Sequence, residues 1–354
     1  MKNSLRFPSR LLSGVVAAVI AAGGLTAGGA TAAFAAPPPT SGPGDQSQAV
    51  VPDPFVERIG GADRYAVSAA VSAHTFEPGV PVAYVASGEV FSDALSASAA
   101  AGAEGGVVLL TKPDEIPVPV ATELRRLKPQ RIVVLGGPAT VAPEVETALR
   151  AFSGRIDRVG GADRFAVSAS VSANVFGSHR PVAYVASGSS YPDALSASAA
   201  AGRLGGPVLL VGKDVVPVLV ADELRRLAPA KIVVLGGLST VSDGVLAELR
   251  TMGTTGRIDG PDRYAVSAAV SADAFPPSVP TVFVASGAAF ADALSGGAAA
   301  IANAGPMLLV TTDAVPGPVE AELRRLRPNR IVVLGGTASV SDATMEKLRD
   351  YLRP

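Results

Sequence analysis

The feature that most constrains the fold of this chain is a segment of about 100 residues that occurs three times in succession. The nonapeptide GGADRYAVS at 60–68 returns as GGADRFAVS at 160–168 and as DGPDRYAVS at 259–267. The other repeated motifs keep this spacing, namely D-A-L-S from Asp93, Asp193 and Asp292, and L-G-G with its glycine pairs at 136–137, 236–237 and 335–336. Because this period is the size of a domain, the pattern predicts a tandem array of three similar modules rather than a solenoid.

Within one repeat, the hydrophobic pattern alternates between helical and strand periodicity. In the first repeat it predicts strands at 82–87, 107–110 and 131–135, and helices at 62–76, 92–101, 118–127 and 144–152. Continuous apolar strands separated by helices are typical of a parallel sheet covered on both faces. The chain has no Trp and only 5% aromatic residues, so the core must be built from Val, Leu, Ile and Ala. We therefore predict an α/β fold of three small, doubly wound parallel-sheet modules at 55–153, 154–253 and 254–354.

The N-terminal 36 residues have the pattern of an export signal. A basic segment containing Lys2, Arg6 and Arg10 precedes an apolar run at 11–25 and the A-x-A sequence at 33–35. The apolar run is too short and too rich in Gly and Ala for a membrane anchor, so we predict cleavage after Ala35 or Ala36. Residues 37–54, rich in Pro, Gly and Ser, are predicted to form a disordered tether. The mature protein is thus expected to be secreted and to have no membrane span.

Composition excludes several classes of function. Without the first 36 residues, 27 Lys and Arg stand against 31 Asp and Glu, and a mildly acidic protein is a poor candidate for binding nucleic acid. The absence of cysteine removes disulfides, thiolate nucleophiles and Cys-based metal sites. The two histidines, His74 and His179, lie at non-equivalent positions, and neither has a metal-ligand partner at a usable spacing. We therefore expect no metal, no cofactor and no catalytic residue.

The repeated polar motifs fall where strands end and helices begin, at the edge where open parallel sheets bind ligands. An aspartate there can cap a helix or contact a ligand, and capping is the favoured role for Asp93, Asp193 and Asp292 and for Asp63, Asp163 and Asp262. An arginine directly follows Asp63, Asp163 and Asp262 in the sequence. These arginines, Arg64, Arg164 and Arg263, can bind an anionic polymer or bridge to an acid of a neighbouring repeat. The glycine pairs fit tight turns better than phosphate-binding loops, since no G-x-G-x-x-G or Walker sequence is present.

Two further sets of residues are candidates for binding. Arginine pairs end the third predicted helix of each repeat, where the helix dipole alone also favours cations; they are Arg125, Arg126, Arg225, Arg226, Arg324 and Arg325. The second apolar strand carries a Leu pair in each repeat, at Leu109, Leu110, Leu209, Leu210, Leu308 and Leu309. From the residues alone, this second set is a buried strand, and replacing it would unfold the repeat.

Together, R-I/V-G-G-A-D-R-Y/F-A-V-S, V-A-S-G-x-x-F/Y-x-D-A-L-S, P-V-L-L and R-I-V-V-L-G-G resemble the cell wall binding repeat type 2 family over all three repeats. The resemblance implies three Rossmann-like modules in a pseudo-threefold triangle, and noncovalent anchoring to an anionic wall polysaccharide or a teichoic-acid-like polymer. It also implies a role for the P-x-L-L strand in wall binding. The third repeat departs from the pattern at Asp259 and Pro261, and the first has Val107 where the pattern has Pro. Strict equivalence of three sites is therefore not expected.

Three functions from different classes follow. The leading hypothesis is a wall-binding module in which three weak sites on one body gain avidity on a repetitive polymer. The second is a surface hydrolase acting on wall glycan or peptide through a carboxylate pair such as Asp63 and Asp93. The third is a structural surface-layer subunit. No G-x-S-x-G elbow is present, so the common serine nucleophile is also missing from the sequence.

Overall fold

The fold was determined as a computed structural model that describes residues 54–289 and 291–354. The predicted export signal (1–36) and all of the predicted tether except Pro54 lie outside the described residues. None of the described helices is long and apolar enough to cross a membrane.

The described chain forms twelve strands, all of them paired in parallel. The strands are β1 (Phe55–Ile59), β2 (Val82–Ser87), β3 (Val107–Thr111), β4 (Arg131–Leu135), β5 (Ile156–Val159), β6 (Val182–Ser187), β7 (Val208–Val211), β8 (Lys231–Leu235), β9 (Thr255–Ile258), β10 (Thr281–Ser286), β11 (Met307–Val310) and β12 (Arg330–Leu334).

Helices alternate with these strands, as the sequence pattern predicts. They are α1 (Arg64–Thr75), α2 (Phe91–Ala94), α3 (Ala97–Ala103), α4 (Val118–Leu127), α5 (Pro143–Leu149), α6 (Arg164–Val175), α7 (Pro192–Leu204), α8 (Val218–Leu227), α9 (Asp243–Arg250), α10 (Arg263–Ala274), α11 (Ala291–Ala302), α12 (Gly317–Leu326) and α13 (Asp342–Leu348), with a final 3₁₀ turn at Arg349–Tyr351. The helix predicted at 92–101 is divided in the first repeat into α2 and α3, whereas α7 and α11 are continuous.

Three four-stranded parallel sheets confirm the predicted α/β class and its three modules. Their strand orders are β3-β2-β4-β5, β7-β6-β8-β9 and β11-β10-β12-β1. The central strand β2 (VAYVAS) is buried along its whole length, and so are β6 and β10. Burial on both faces explains why these strands are continuous apolar runs without the alternation of a half-exposed strand.

The fourth strand of each sheet comes from the next repeat, which the sequence pattern did not reveal. Strand β5 lies N-terminal to the second GGADR motif but pairs with β4 of the first repeat, from Ile132↔Ile156 to Leu135↔Val159. Strand β9 likewise pairs with β8. The chain closes on itself because β1, its first strand, pairs with β12 of the third repeat. The three modules are therefore linked into a ring by their edge strands.

The helices carrying the D-A-L-S motif pack around the pseudo-threefold axis. Equivalent positions on them are Ser98, Ser198 and Gly297; the Ser98 hydroxyl donates to the Leu294 carbonyl (2.8 Å). A Cβ on Gly297 would lie 2.7 Å from Ser98 Cβ and 3.2 Å from Ser198 Cβ, so the three helices meet here with almost no intervening space. The small-residue helices predicted from composition thus allow close packing at the centre of the molecule.

Candidate functional site

The repeated polar motifs converge between neighbouring repeats. The second cleft, between repeats two and three, has a volume of about 150 Å³ and is lined by Asp193 and the 236–237 turn of repeat two and by Asp262 and Arg263 of repeat three. The corresponding residues define the first cleft (Asp93, 136–137, Asp163, Arg164) and the third cleft (Asp292, 335–336, Asp63, Arg64). All three lie at the carboxyl ends of the strands, the edge that the sequence analysis predicted.

The glycine pair forms the floor of each cleft. Gly136, Gly236 and Gly335 have φ of +89°, +87° and +97°, a left-handed conformation that favours glycine. A Cβ on Gly136 would also lie 2.4 Å from Asp93 Oδ2, and one on Gly236 would lie 2.5 Å from Asp193 Oδ2. The first glycine of the pair is therefore required for two reasons: it adopts the left-handed conformation of the turn, and it lets the backbone lie close to the aspartate carboxylate.

The aspartate of the G-x-D-R motif caps a helix in all three repeats. The Asp63 carboxylate accepts hydrogen bonds from the backbone N–H groups of Tyr65 (3.0 Å) and Ala66 (2.8 Å). Asp163 and Asp262 make the same pair of bonds at the start of α6 and α10. Helix capping, the role favoured by the sequence, is thus what these three aspartates do. Their backbone is extended and the next residue is helical, which is the usual conformation of an N-cap residue.

The arginine of the G-x-D-R motif connects the start of its helix to the loop after the second strand of the same repeat. Nη1 of Arg64, Arg164 and Arg263 donates to the carbonyls of Gly88, Gly188 (2.7 Å) and Gly287 (2.5 Å), respectively. Arg164 also lies close enough to Asp93 of repeat one to stabilise its charge, as Arg263 does for Asp193 of repeat two. The structure thus shows an electrostatic contact with an acid of the neighbouring repeat for Arg164 and Arg263, one of the two predicted roles, and adds a loop contact that was not predicted.

The D-A-L-S aspartates lie in the first turn of their helices and are buried. Burial raises the pKa of Asp93, while the neighbouring hydroxyl of Ser92, the charge of Arg164 and the nearby hydroxyl of Thr140 act in the opposite direction. Burial also raises the pKa of Asp193, and the charge of Arg263 lowers it. Each carboxylate therefore lies in a partly desolvated site, where leaving a carboxylate oxygen without a hydrogen-bond donor costs more free energy than it would in water.

An arginine on the exchanged strand also belongs to each cleft, and sequence reasoning missed its role. Nη1 of Arg58, Arg158 and Arg257 donates to the carbonyl of the first turn glycine of the preceding repeat, at 3.1 Å, 2.9 Å and 2.6 Å. The R-I/V-G-G part of the motif contains these arginines. Their partner could not be inferred, because it lies in another repeat.

The arginine pairs at the ends of α4, α8 and α12 lie away from the clefts. Arg126 forms a two-nitrogen ion pair with the buried Glu123 (2.8 Å and 2.7 Å), and its Nη2 donates to the Phe76 carbonyl (2.7 Å). Glu123 Oε1 also accepts from the Ser72 hydroxyl (2.5 Å). The same network is formed by Arg226 and by Arg325.

The first member of each pair is more exposed. Arg125 stacks over Phe152 (5.5 Å), Arg225 pairs with Asp222 (2.7 Å) and Arg324 stacks over Tyr351 (5.3 Å). These helices end near the amino ends of the strands, as the bond from the Gly79 N–H to the Leu127 carbonyl shows. The structure thus does not bring the arginine pairs together with Arg64, Arg164 and Arg263, and polymer contact by the pairs stays a prediction.

The leucine pairs lie on the second strand of each module and have no exposed surface. Their exposed fraction is 0% at Leu109, Leu110, Leu209, Leu210, Leu308 and Leu309. The backbone N–H of Leu110 is bonded to Ser68 of α1 (3.2 Å), which fixes the strand against the helix. Their environment is that of core residues. Across the described ranges, no cluster of three or more His, Asp or Glu could hold a metal ion.

Comparison with known proteins supports this division into repeats. The family model for cell wall binding domain 2 (CWB2) matches residues 58–146, 158–246 and 257–345. Among curated Bacillus subtilis (strain 168) proteins, the amidase enhancer is 27% identical over 83% of this chain and 40% of its own length. The N-acetylmuramoyl-L-alanine amidase LytC is 22% identical over 84% of this chain and 59% of its own length. The chain thus spans about half the length of these relatives.

Two solved structures from Clostridium difficile share the fold. Cwp6 superposes with a TM-score of 0.80 at 22% identity, covering 85% of this chain and 48% of that one. Cwp8 superposes with a TM-score of 0.76 at 23% identity, covering 84% of this chain and 51% of that one. The three-module architecture therefore recurs where less than a quarter of the residues are identical.

Proposed function

This chain belongs to the cell wall binding domain 2 family, and from that premise we propose that it attaches noncovalently to an anionic wall polymer through the clefts between its repeats. Association with the cell wall follows from the family. The finer proposal is that the polymer is a polysaccharide or a teichoic-acid-like chain carrying both hydroxyl and anionic groups. The protein holds the polymer and does not cleave it.

The observation that carries the proposal is the pairing of unlike groups in one cleft. Asp193 supplies a buried acceptor, and Arg263 supplies a guanidinium that, among the described residues, is hydrogen-bonded through Nη1 to the Gly287 carbonyl and the Tyr191 hydroxyl. The remaining guanidinium N–H donors suit a phosphate or carboxylate, because a planar fork binds such groups with two parallel bonds. A polymer unit with a hydroxyl beside an anionic group complements both.

The arrangement of three clefts on one ring adds avidity. A polymer with regularly repeated units can occupy more than one cleft of the same molecule, and the effective local concentration multiplies weak single-site affinities. The clefts lie at equivalent positions about the pseudo-threefold axis, because the exchanged edge strands link one module to the next. Export through the predicted signal at 1–36 would place these clefts at the wall.

Binding of the purified protein to isolated cell walls tests the proposal. We expect the protein to sediment with walls at low salt, to be released as salt is raised, and to lose retention on walls stripped of anionic polymer. Salt acts by screening the contacts between Arg and the anionic groups. Retention that is indifferent both to salt and to extraction would contradict anionic-polymer binding.

The same incubation distinguishes the two alternative functions. A hydrolase would release soluble glycan or peptide from the walls. The predicted pair Asp63 and Asp93 lies in two different clefts, whereas their counterparts Asp193 and Asp262 line one cleft, and release that depends on any of these aspartates would replace the binding proposal. A structural surface-layer subunit would assemble into ordered arrays without wall material. We expect neither soluble products nor arrays.

A further inference from the structure

The three clefts differ in how the buried D-A-L-S aspartate is satisfied. In the third cleft, the Ser339 hydroxyl donates to Asp292 Oδ2 at 2.7 Å. In the first cleft, the Ser92 hydroxyl lies 3.5 Å from Asp93 Oδ1. Asp193 of the second cleft is only 6% exposed, and no N–H or O–H of residues 54–289 and 291–354 forms a hydrogen bond or ion pair with its carboxylate.

Sequence differences between the repeats account for this contrast. The position of Ser92 is occupied in the second repeat by Pro192, which has no hydroxyl. Thr240, at the position of Ser339, donates its hydroxyl to the Gly237 carbonyl at 2.9 Å, as Thr140 does to the Gly137 carbonyl in the first cleft, so the first and second clefts differ in the Ser92 hydroxyl. Arg263 acts on Asp193 only through its charge. The second cleft thus contains a carboxylate that faces the cleft and has no hydrogen-bond donor among the described protein residues.

The walls of the second cleft are also richer in hydroxyl groups. Ser190 and Ser239 line it, where the first cleft has Val90 and Ala139. Tyr191 closes one side by donating to the Ala288 carbonyl (3.0 Å) across the repeat boundary. The cleft volume of about 150 Å³ is small, and it suits one edge of a sugar rather than a whole chain.

We propose that the second cleft is the dominant binding site and that Asp193 accepts a hydrogen bond from a sugar hydroxyl of the wall polymer there. This inference rests on the proposed wall-binding function and makes the three clefts unequal. The first and third clefts already provide a serine hydroxyl for their aspartates, so a ligand gains less by entering them. Asp193 accepts but cannot donate while it is ionised, and Asp262 also lines the cleft, so the group that enters next to Asp193 is a donor rather than an anion.

The test compares the matched variants Asp93→Asn, Asp193→Asn and Asp292→Asn, each in the full chain, for equilibrium binding to purified cell walls. An amide is a weaker acceptor than a carboxylate, and a hydrogen bond to a charged group is among the stronger ones. We expect Asp193→Asn to weaken binding at least about tenfold, and the other two variants to change it by less than about threefold. An equal loss in all three would overturn the inequality while leaving wall binding intact.

A second pair of variants keeps every aspartate in place. Pro192→Ser adds the hydroxyl that Ser92 provides in the first cleft, and we expect it to weaken binding because it competes with the ligand for Asp193. Ser339→Ala removes the donor from Asp292, and we expect it to maintain or strengthen binding. Unchanged binding by Pro192→Ser, with Asp193→Asn folded and fully active, would overturn the proposal.

The nature of the donor is tested on walls whose amino groups have been N-acetylated. A sugar hydroxyl is unaffected by this treatment, so we expect wild-type binding to be unchanged. A loss that matches the effect of Asp193→Asn would assign the donor as an ammonium group and overturn the hydroxyl assignment. Failure of the wild-type chain to bind untreated walls would contradict the proposed function itself, a result distinct from all of these.

Discussion

At the scale of single residues, the floor of each cleft depends on a glycine with two separate constraints. Gly136 has a left-handed φ of +89°, and a Cβ there would lie 2.3 Å from Thr140 Oγ1 and 2.4 Å from Asp93 Oδ2. At its neighbour Gly137, by contrast, a Cβ would have no heavy atom within 4 Å. Of these two adjacent glycines, Gly136 therefore has both a conformational and a steric reason to be glycine, and Gly137 has neither.

Replacement of each glycine by alanine should separate these effects. We expect Gly136→Ala to lower the free energy of unfolding by about 2–4 kcal/mol, from left-handed strain together with crowding of the buried carboxylate. Gly137→Ala should change it by less than about 0.5 kcal/mol, as for an unconstrained surface position. Urea unfolding followed by circular dichroism measures both, and equal effects would show that neither the left-handed φ nor the close approach at Gly136 sets the requirement for glycine.

At the scale of helices and strands, the sequence pattern predicted where elements begin and end, but it did not predict which strands pair with each other. The boundaries of α4 and β4 match the prediction at 118–127 and 131–135, because each has strong periodicity and a clear end. Strand β5 (IDRV) was missed because it is short, lies at a sheet edge and is only partly buried. The edge carrying the site was predictable from the strand ends. Its division between two repeats was not, since Arg164 meets Asp93 only through the exchange of that strand.

The end of α4 provides a prediction about the arginine pairs. Arg126→Ala leaves Glu123 buried without its ion-pair partner, so we expect the free energy of unfolding to fall by about 2–3 kcal/mol. This loss is smaller than that at a fully buried ion pair, because the Arg126 side chain is 33% exposed. Arg125→Ala, its matched control, should cost less than about 1 kcal/mol, since it loses only an exposed contact with Phe152.

Wall binding by the folded fraction separates the two roles of this pair. If Arg126 is structural, wall affinity measured under native conditions should be unchanged in both variants. A loss of affinity in Arg125→Ala, without loss of stability, would instead support the polymer contact predicted for the exposed arginines.

At the scale of the whole molecule, three similar modules share an axis that has room for only one large side chain. Gly102, Gly202 and Ile301 occupy equivalent positions, and a Cβ on either glycine would lie within 2.5 Å of Ile301 Cδ1. A sequence repeated without change would place either three isoleucines or three glycines here, which means a clash or a void. The departure of one repeat from the others is thus a condition for packing the centre of the ring.

This asymmetry should be transferable from one repeat to another. We expect Ile301→Gly to lower the unfolding free energy by about 2–3 kcal/mol, through loss of apolar contacts of the partly buried isoleucine and an added helical glycine. Gly102→Ile alone should also destabilise the protein, by about 1–3 kcal/mol, because the axis is already filled. The double variant moves the isoleucine to the first repeat at conserved volume and should recover stability to within about 1.5 kcal/mol of wild type. Urea unfolding of the wild type, the two single variants and the double variant measures these four free energies. If the losses of the single variants simply add in the double variant, the modules are not interchangeable about the axis, and Ile301 is fixed by contacts specific to the third repeat.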